Sequence, residues 1–139
     1  MVCTFFGHKN APDDIKPKLY NLLCDLIENQ QADLFYVGNQ GHFDSLVKSV
    51  LISLKEKYPH IRYYVVLAYL PQNSEKDYSD TIYPDGLESA PPKYAISRRN
   101  HWLIKSSDTV ITYVLHSFGG AAQFKELAQR KHKQVINLA

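Results

Sequence analysis

YVLHSFGGAAQFKE, Tyr113 to Glu126, is the stretch on which the fold turns. An apolar, β-favouring run meets two adjacent glycines and passes at once into residues with helical spacing. Glycine at such a turn leaves backbone N–H groups uncovered, and the helix that follows adds a partial positive charge. The same arrangement recurs upstream. Val2 to Phe6 reads as a strand that ends at Gly7-His8-Lys9, and Leu34 to Val37 as one that ends at Gly38-Asn39-Gln40-Gly41.

Helical periodicity fills the intervals. Pro12, Asp13 and Asp14 mark a helix start, and Ile15, Leu19, Leu22, Leu23 and Leu26 carry that helix to about residue 30. Phe43, Leu46, Val47, Val50, Leu51 and Leu54 form the apolar stripe of a second helix. Tyr63 to Leu70 is nearly continuously apolar, as suits a parallel strand buried on both faces. A helix over about 93–106, a strand Thr109–Leu115, a helix over about 120–131 and a strand Val135–Leu138 complete the pattern. Alternating strands and helices predict an α/β fold: one domain over residues 1–139, a mostly parallel sheet with helices on both faces. Residues 71–92, rich in Pro, Asp, Ser and Gly, read as a long loop and a candidate lid, with Tyr78 and Tyr83 within it.

Composition excludes some classes. With 45% apolar and 22% charged residues the chain is an ordinary globular one, and no apolar run approaches the length of a membrane span. The opening VCTFF lacks a basic lead-in, so the expected setting is cytoplasmic, with Cys3 and Cys24 free and buried. Charge is uneven. Residues 1–91 hold 8 Lys/Arg against 12 Asp/Glu, whereas residues 92–139 hold 8 against 2, a balance of +6. Either an anion-attracting face or a solvated basic helix accounts for that balance.

Ligands of an open parallel sheet sit beyond the carboxyl ends of its strands, where the three glycine-bearing turns gather. None of the three is a Walker A loop or a GxGxxG fingerprint. His8, His42 and His116 all lie at strand ends but lack zinc-site spacing, so no metal is expected, nor any cofactor. Asp44 has two candidate roles, as an N-cap of the second helix and as a ribose partner. Trp102 reads as core or subunit contact.

FGHK (Phe6 to Lys9), GNQGHFD (Gly38 to Asp44), ISRRNHWLIKSSD (Ile96 to Asp108) and the SFGG turn (Ser117 to Gly120) resemble, in order and spacing, a small bacterial and phage branch of the SLOG superfamily. That superfamily includes the Lonely-guy phosphoribohydrolases and the ligand-sensing domains of some anti-phage systems. The resemblance implies a Rossmann-like sheet and a nucleotide or nucleotide derivative as ligand. The Lonely-guy pattern is Pro-Gly-Gly-x-Gly-Thr-x-x-Glu. Here Phe118 replaces the proline, Gly119 and Gly120 match, Ala122 replaces the third glycine, and Gln123 replaces the threonine. Glu126 falls on the catalytic glutamate, and Arg99 stands before Asp108 as the catalytic arginine would.

The resulting expectation is a site of Gly7, His8, Lys9, Gly38, Asn39, Gly41, Asp44, Arg98, Arg99, His116, Ser117, Gly119, Gly120 and Glu126. It would take a nucleotide-derived small molecule, such as an ADP-ribose derivative or a cyclic nucleotide. The alternative is a phosphoribohydrolase that cleaves a nucleoside 5′-monophosphate, with Arg99 and Glu126 catalytic. The resemblance also implies a homo-oligomer. Nucleic acid ranks last among the partners, because no interleaved aromatic and basic stretch tracks a strand.

Overall fold

In the computed structural model, which describes residues 1–69 and 80–139, six strands form one parallel sheet. In chain order the elements are β1 (Val2–Gly7), α1 (Lys16–Asn29), β2 (Leu34–Val37), α2 (Gly41–Lys57), β3 (Arg62–Val66), β4 (Thr81–Ile82), α3 (Ala95–Lys105), β5 (Thr109–Tyr113), α4 (Gly120–Arg130) and β6 (Gln134–Asn137). Across the sheet the order is β4-β3-β2-β1-β5-β6, so the chain builds outward from β1 in one direction and then in the other. The reversal falls between β1 and β5, which pair in register from Cys3↔Thr109 to Gly7↔Tyr113.

Alternation along the central strands sets two cores. Cys3 and Phe5 of β1 face α1 and α2, where Leu19, Leu23, Leu26, Phe43, Val47, Val50, Leu51 and Leu54 are buried with Phe35 and Ile111. Phe6 and Val110 face the other way, onto Leu103 and Ile104 of α3 and Phe124 and Ala128 of α4. Helices therefore cover both faces, as the strand–helix alternation predicts. The two cysteines are free, Cys3 buried and Cys24 half-buried. Among the described residues no helix is long and apolar enough to cross a membrane.

The candidate lid fares differently in its two parts. Residues 70–79, with Tyr78, lie outside the described residues. Residues 80–92 are ordered into more than a loop: Thr81 and Ile82 add a sixth strand to the sheet edge through Val65↔Thr81 and Val66↔Ile82. Two short 3-10 turns, Leu87–Ser89 and Pro92–Tyr94, lead into α3, and Tyr83 packs against the first core. The third strand ends at Val66, short of the expected Leu70, with the Leu67 N–H still bonded to the Ile82 carbonyl of β4, a strand that is itself only two residues long.

Candidate functional site

The carboxyl ends of β1 and β5 diverge where their connections leave for opposite faces, and a cavity of about 310 Å³ opens between them. Its walls come from Gly7, His8 and Lys9 after β1, Gly38, Gln40 and Asp44 after β2, Ile96, Arg99, Asn100 and Leu103 of α3, and Gly120, Ala121 and Phe124 of α4.

Arg99 is the charged group at the centre. It is 3% exposed, yet its hydrogen bonds go to uncharged acceptors. Nε donates to Asn100 Oδ1 at 2.9 Å, and Nη1 donates to Asn39 Oδ1 at 3.2 Å and to the Val66 carbonyl at 3.0 Å. Burial pulls its pKa down from the ordinary value, with Asp44 and Tyr69 acting the other way. An arginine stays protonated even so. Asn39, exposed at the end of β2, thus acts by holding Arg99 in place.

Gly38 separates Arg99 from Asp44. A Cβ there would lie 2.8 Å from Asp44 Oδ2 and 3.3 Å from Arg99 Nη1, so only glycine lets the two groups approach its backbone. Asp44 is not the N-cap of α2. It lies within the first turn and reaches back, Oδ2 accepting from the Gln40 N–H at 2.8 Å. Burial pushes its carboxyl up to about 6, against the bond from Gln40 and the charge of Arg99. A carboxyl raised in this way adds stability that is complete below its unfolded value near 3.8 and is lost as pH rises through about 6. Protonation also removes the negative charge beside Arg99. Anion affinity is therefore expected to rise between pH 7.5 and 5.5, and Asp44→Asn should reproduce part of that gain at pH 7.5. A titration of binding in both proteins checks this; superimposable profiles would refute it.

Gly7 serves packing. A Cβ on it would stand 2.3 Å from the Phe43 ring. Gly41 backs onto Lys9, whose carbonyl accepts from the His42 N–H at 2.9 Å and so ties the first two loops together. Gly119 and Gly120 differ: a Cβ on either would meet nothing within 4 Å. Gly119 has φ +95, which favours glycine, and caps α4, its carbonyl accepting from the Gln123 N–H at 3.0 Å, with open space where a side chain would stand.

Two of the three strand-end histidines converge. His8 and His116 lie 5.1 Å apart, and His8 Nε2 accepts from the Leu115 N–H at 2.8 Å. That bond puts the proton of neutral His8 on Nδ1, and burial together with His116 lowers its pKa below 6.5. His42 turns away to Asp13. Among the described residues no group of His, Cys, Asp or Glu is placed to hold a metal.

Other expected site residues are not at the cavity. Arg98 is exposed and lines a separate, smaller cavity of about 140 Å³ with Trp102 and Leu87, about 100° round α3 from Arg99. Glu126 is exposed on α4, beyond the cavity wall formed by Ala121 and Phe124. The carboxylate that the Lonely-guy pattern makes catalytic therefore does not meet Arg99. His116 and Ser117 are exposed on the loop that leaves β5. Asn137 of β6, which no sequence pattern marks, also matters. Its Nδ2 donates to the Val114 carbonyl and its Oδ1 accepts from the Val114 N–H, both at 3.0 Å, which fixes where that loop begins.

No family model matches the chain, and no curated protein matches it. Solved structures do. DNA processing protein A from Streptococcus pneumoniae matches with a TM-score of 0.70 at 13% identity, over 97% of this chain and 49% of that one. DNA processing protein A from Helicobacter pylori, described for its single-stranded DNA binding mode, matches with a TM-score of 0.66 at 15% identity, over 99% of this chain and 64% of that one. The chain thus spans from just under half to just under two thirds of the proteins it resembles. These neighbours correct the expected ligand and the ranking of partners. The fold is shared with proteins that process DNA, one of them a binder of single strands, which overturns both the nucleotide-derived small molecule with its phosphoribohydrolase alternative and the placing of nucleic acid last. At the level of fold the expectation of a Rossmann-like parallel sheet stands: the chain shares that architecture with DNA processing protein A.

Proposed function

We propose that this chain binds single-stranded DNA across the carboxyl edge of its sheet. The observation that carries the reading is Arg99, a buried guanidinium bonded to neutral acceptors in the wall of a cavity at the β1–β5 divergence. Such a charge suits a backbone phosphate, which a planar guanidinium can engage through two N–H groups. Lys9, exposed on the same rim, and the open backbone of Gly119 and Gly120 at the start of α4 supply further donors for the neighbouring phosphate. The likeness to a single-strand binder supports the choice of polymer over a small anion. The narrower kinship, with a small bacterial or phage SLOG branch, rests on the four sequence motifs alone.

Fluorescence anisotropy of a labelled oligothymidylate tests the proposal. Affinity should fall linearly with salt on logarithmic axes, by about 0.7 in slope for each phosphate contacted, and an unlabelled blunt duplex should compete poorly. An oligonucleotide that fails to bind at low salt, or a duplex that competes equally, would reject it.

A further inference from the structure

The loop that joins β5 to α4 carries large apolar side chains in water. Phe118 is 71% exposed and Leu115 is 61% exposed. Phe118 does not stand alone. Its ring stacks on His116 at 5.0 Å between centroids with 15° between planes, and His116 lies 5.1 Å from His8 at 36°. His8 lines the cavity, so three rings lead in a row from the cavity wall out to solvent. The innermost is anchored through the Leu115 N–H bond and an edge contact with Tyr113 at 6.1 Å. The outermost is supported on one face and open on the other.

Resting on the strand-binding reading, we infer that Phe118 is a base-stacking platform, held flat by His116 and His8, for a nucleobase of the strand whose phosphates meet Arg99 and Gly119–Gly120. An aromatic ring on one supported face is the surface that a nucleobase covers, and the contact tolerates any base because every base has a π-face. The neighbourhood selects a nucleotide over an apolar protein side chain. One and two residues beyond the ring come Gly119 and Gly120, each with open space where a side chain would stand, and Gly120 lines the cavity that Arg99 charges. A base and its own phosphate are separated by a single sugar, as the ring and the glycines are by a few bonds of loop.

The test pairs two probes, a labelled oligothymidylate and a labelled abasic strand of equal length, with three variants. Wild type should bind the thymidylate more tightly than the abasic strand. Phe118→Ala should weaken thymidylate binding by about fivefold to a hundredfold and leave both the abasic affinity and the salt slope unchanged. Phe118→Leu, apolar without a ring, should behave like Phe118→Ala, whereas Phe118→Trp should retain affinity. Because the side chain is exposed, all three should melt with the parent, which a thermal scan verifies. A wild type that binds both probes equally, with no loss in Phe118→Ala, overturns the platform while the strand reading survives. The ring would then belong to a protein contact, seen as a mass change in sedimentation. A wild type that binds neither probe overturns both.

Discussion

Replacing Arg99 with Gln is expected to weaken oligothymidylate binding by about tenfold to a hundredfold, the range for losing charge-assisted hydrogen bonds to a phosphate. The reason lies in what surrounds the guanidinium. A carboxylate in a direct ion pair would largely neutralise it, and a strand would gain little. Here the Val66 carbonyl, Asn39 and Asn100 take its hydrogen bonds, and the nearby charge of Asp44 offsets it only in part. The magnitude of the salt slope should also drop by about 0.7, one phosphate contact for a single strand. Gln is shorter and gives up the Nη1 bonds to the Val66 carbonyl and Asn39, but it also removes a desolvated charge, so the two changes offset and stability should change less than affinity. Arg99→Lys is the informative companion: it retains the charge without the planar fork and should recover only part of the loss. Unchanged affinity in Arg99→Gln would exclude this cavity as the binding site.

The largest effect on the fold is expected from Phe43→Ala. Phe43 is 1% exposed in the first turn of α2, its ring pressed on Gly7 and stacked near Tyr113 at 6.5 Å. It therefore props the ends of β1 and β5 from beneath the cavity. Truncation leaves a void that a glycine cannot fill, and burial of this kind is worth about 3–5 kcal/mol. That is a large share of the roughly 5–15 kcal/mol by which such domains are stable. Urea unfolding should show an earlier midpoint with an unchanged slope. Strand affinity should fall too, measured where the variant is still folded, because Gly7 and His8 lose their support. A loss under about 1 kcal/mol would mean that the helix shifts to close the gap.

Much of the architecture can be read from local pattern. β1, β2 and β5 end close to recognisable breaks and the helices between the strands keep their apolar stripes, whereas β3 stops at Val66 within an apolar run that gives no sign of it. β4 could not be read, since Thr81-Ile82 is two residues within a polar stretch and becomes a strand only by pairing with β3, far away in sequence. The site was legible in outline, because glycines and histidines at strand ends gather on one edge of any parallel sheet. Its details depend on helix rotation and on side-chain reach. Arg99 and Arg98 are adjacent in sequence and face different cavities. Glu126 aligns with a catalytic position by spacing, yet α4 carries it past the wall that Phe124 forms. Glycine has two meanings that sequence does not separate: Gly7 and Gly38 make room for neighbouring side chains, whereas Gly119 and Gly120 face open space. Asn137 gave no signal, since an amide in a terminal strand is commonplace until it bonds both groups of Val114.

The seam between β1 and β5 also bears on how the chain acquires its activity. Val2 N–H bonds to Asp108 across a separation of 106 residues, and Leu115 reaches His8 across 107. Contacts so distant along the chain close slowly, after the local α1–β2–α2 units have collapsed. During synthesis the first half of the molecule can assemble β1, β2 and β3 while half of the cavity has yet to be made. Under the strand-binding proposal, capture is thus a late-acquired property, switched on only when α3, β5 and α4 dock against β1 and β2.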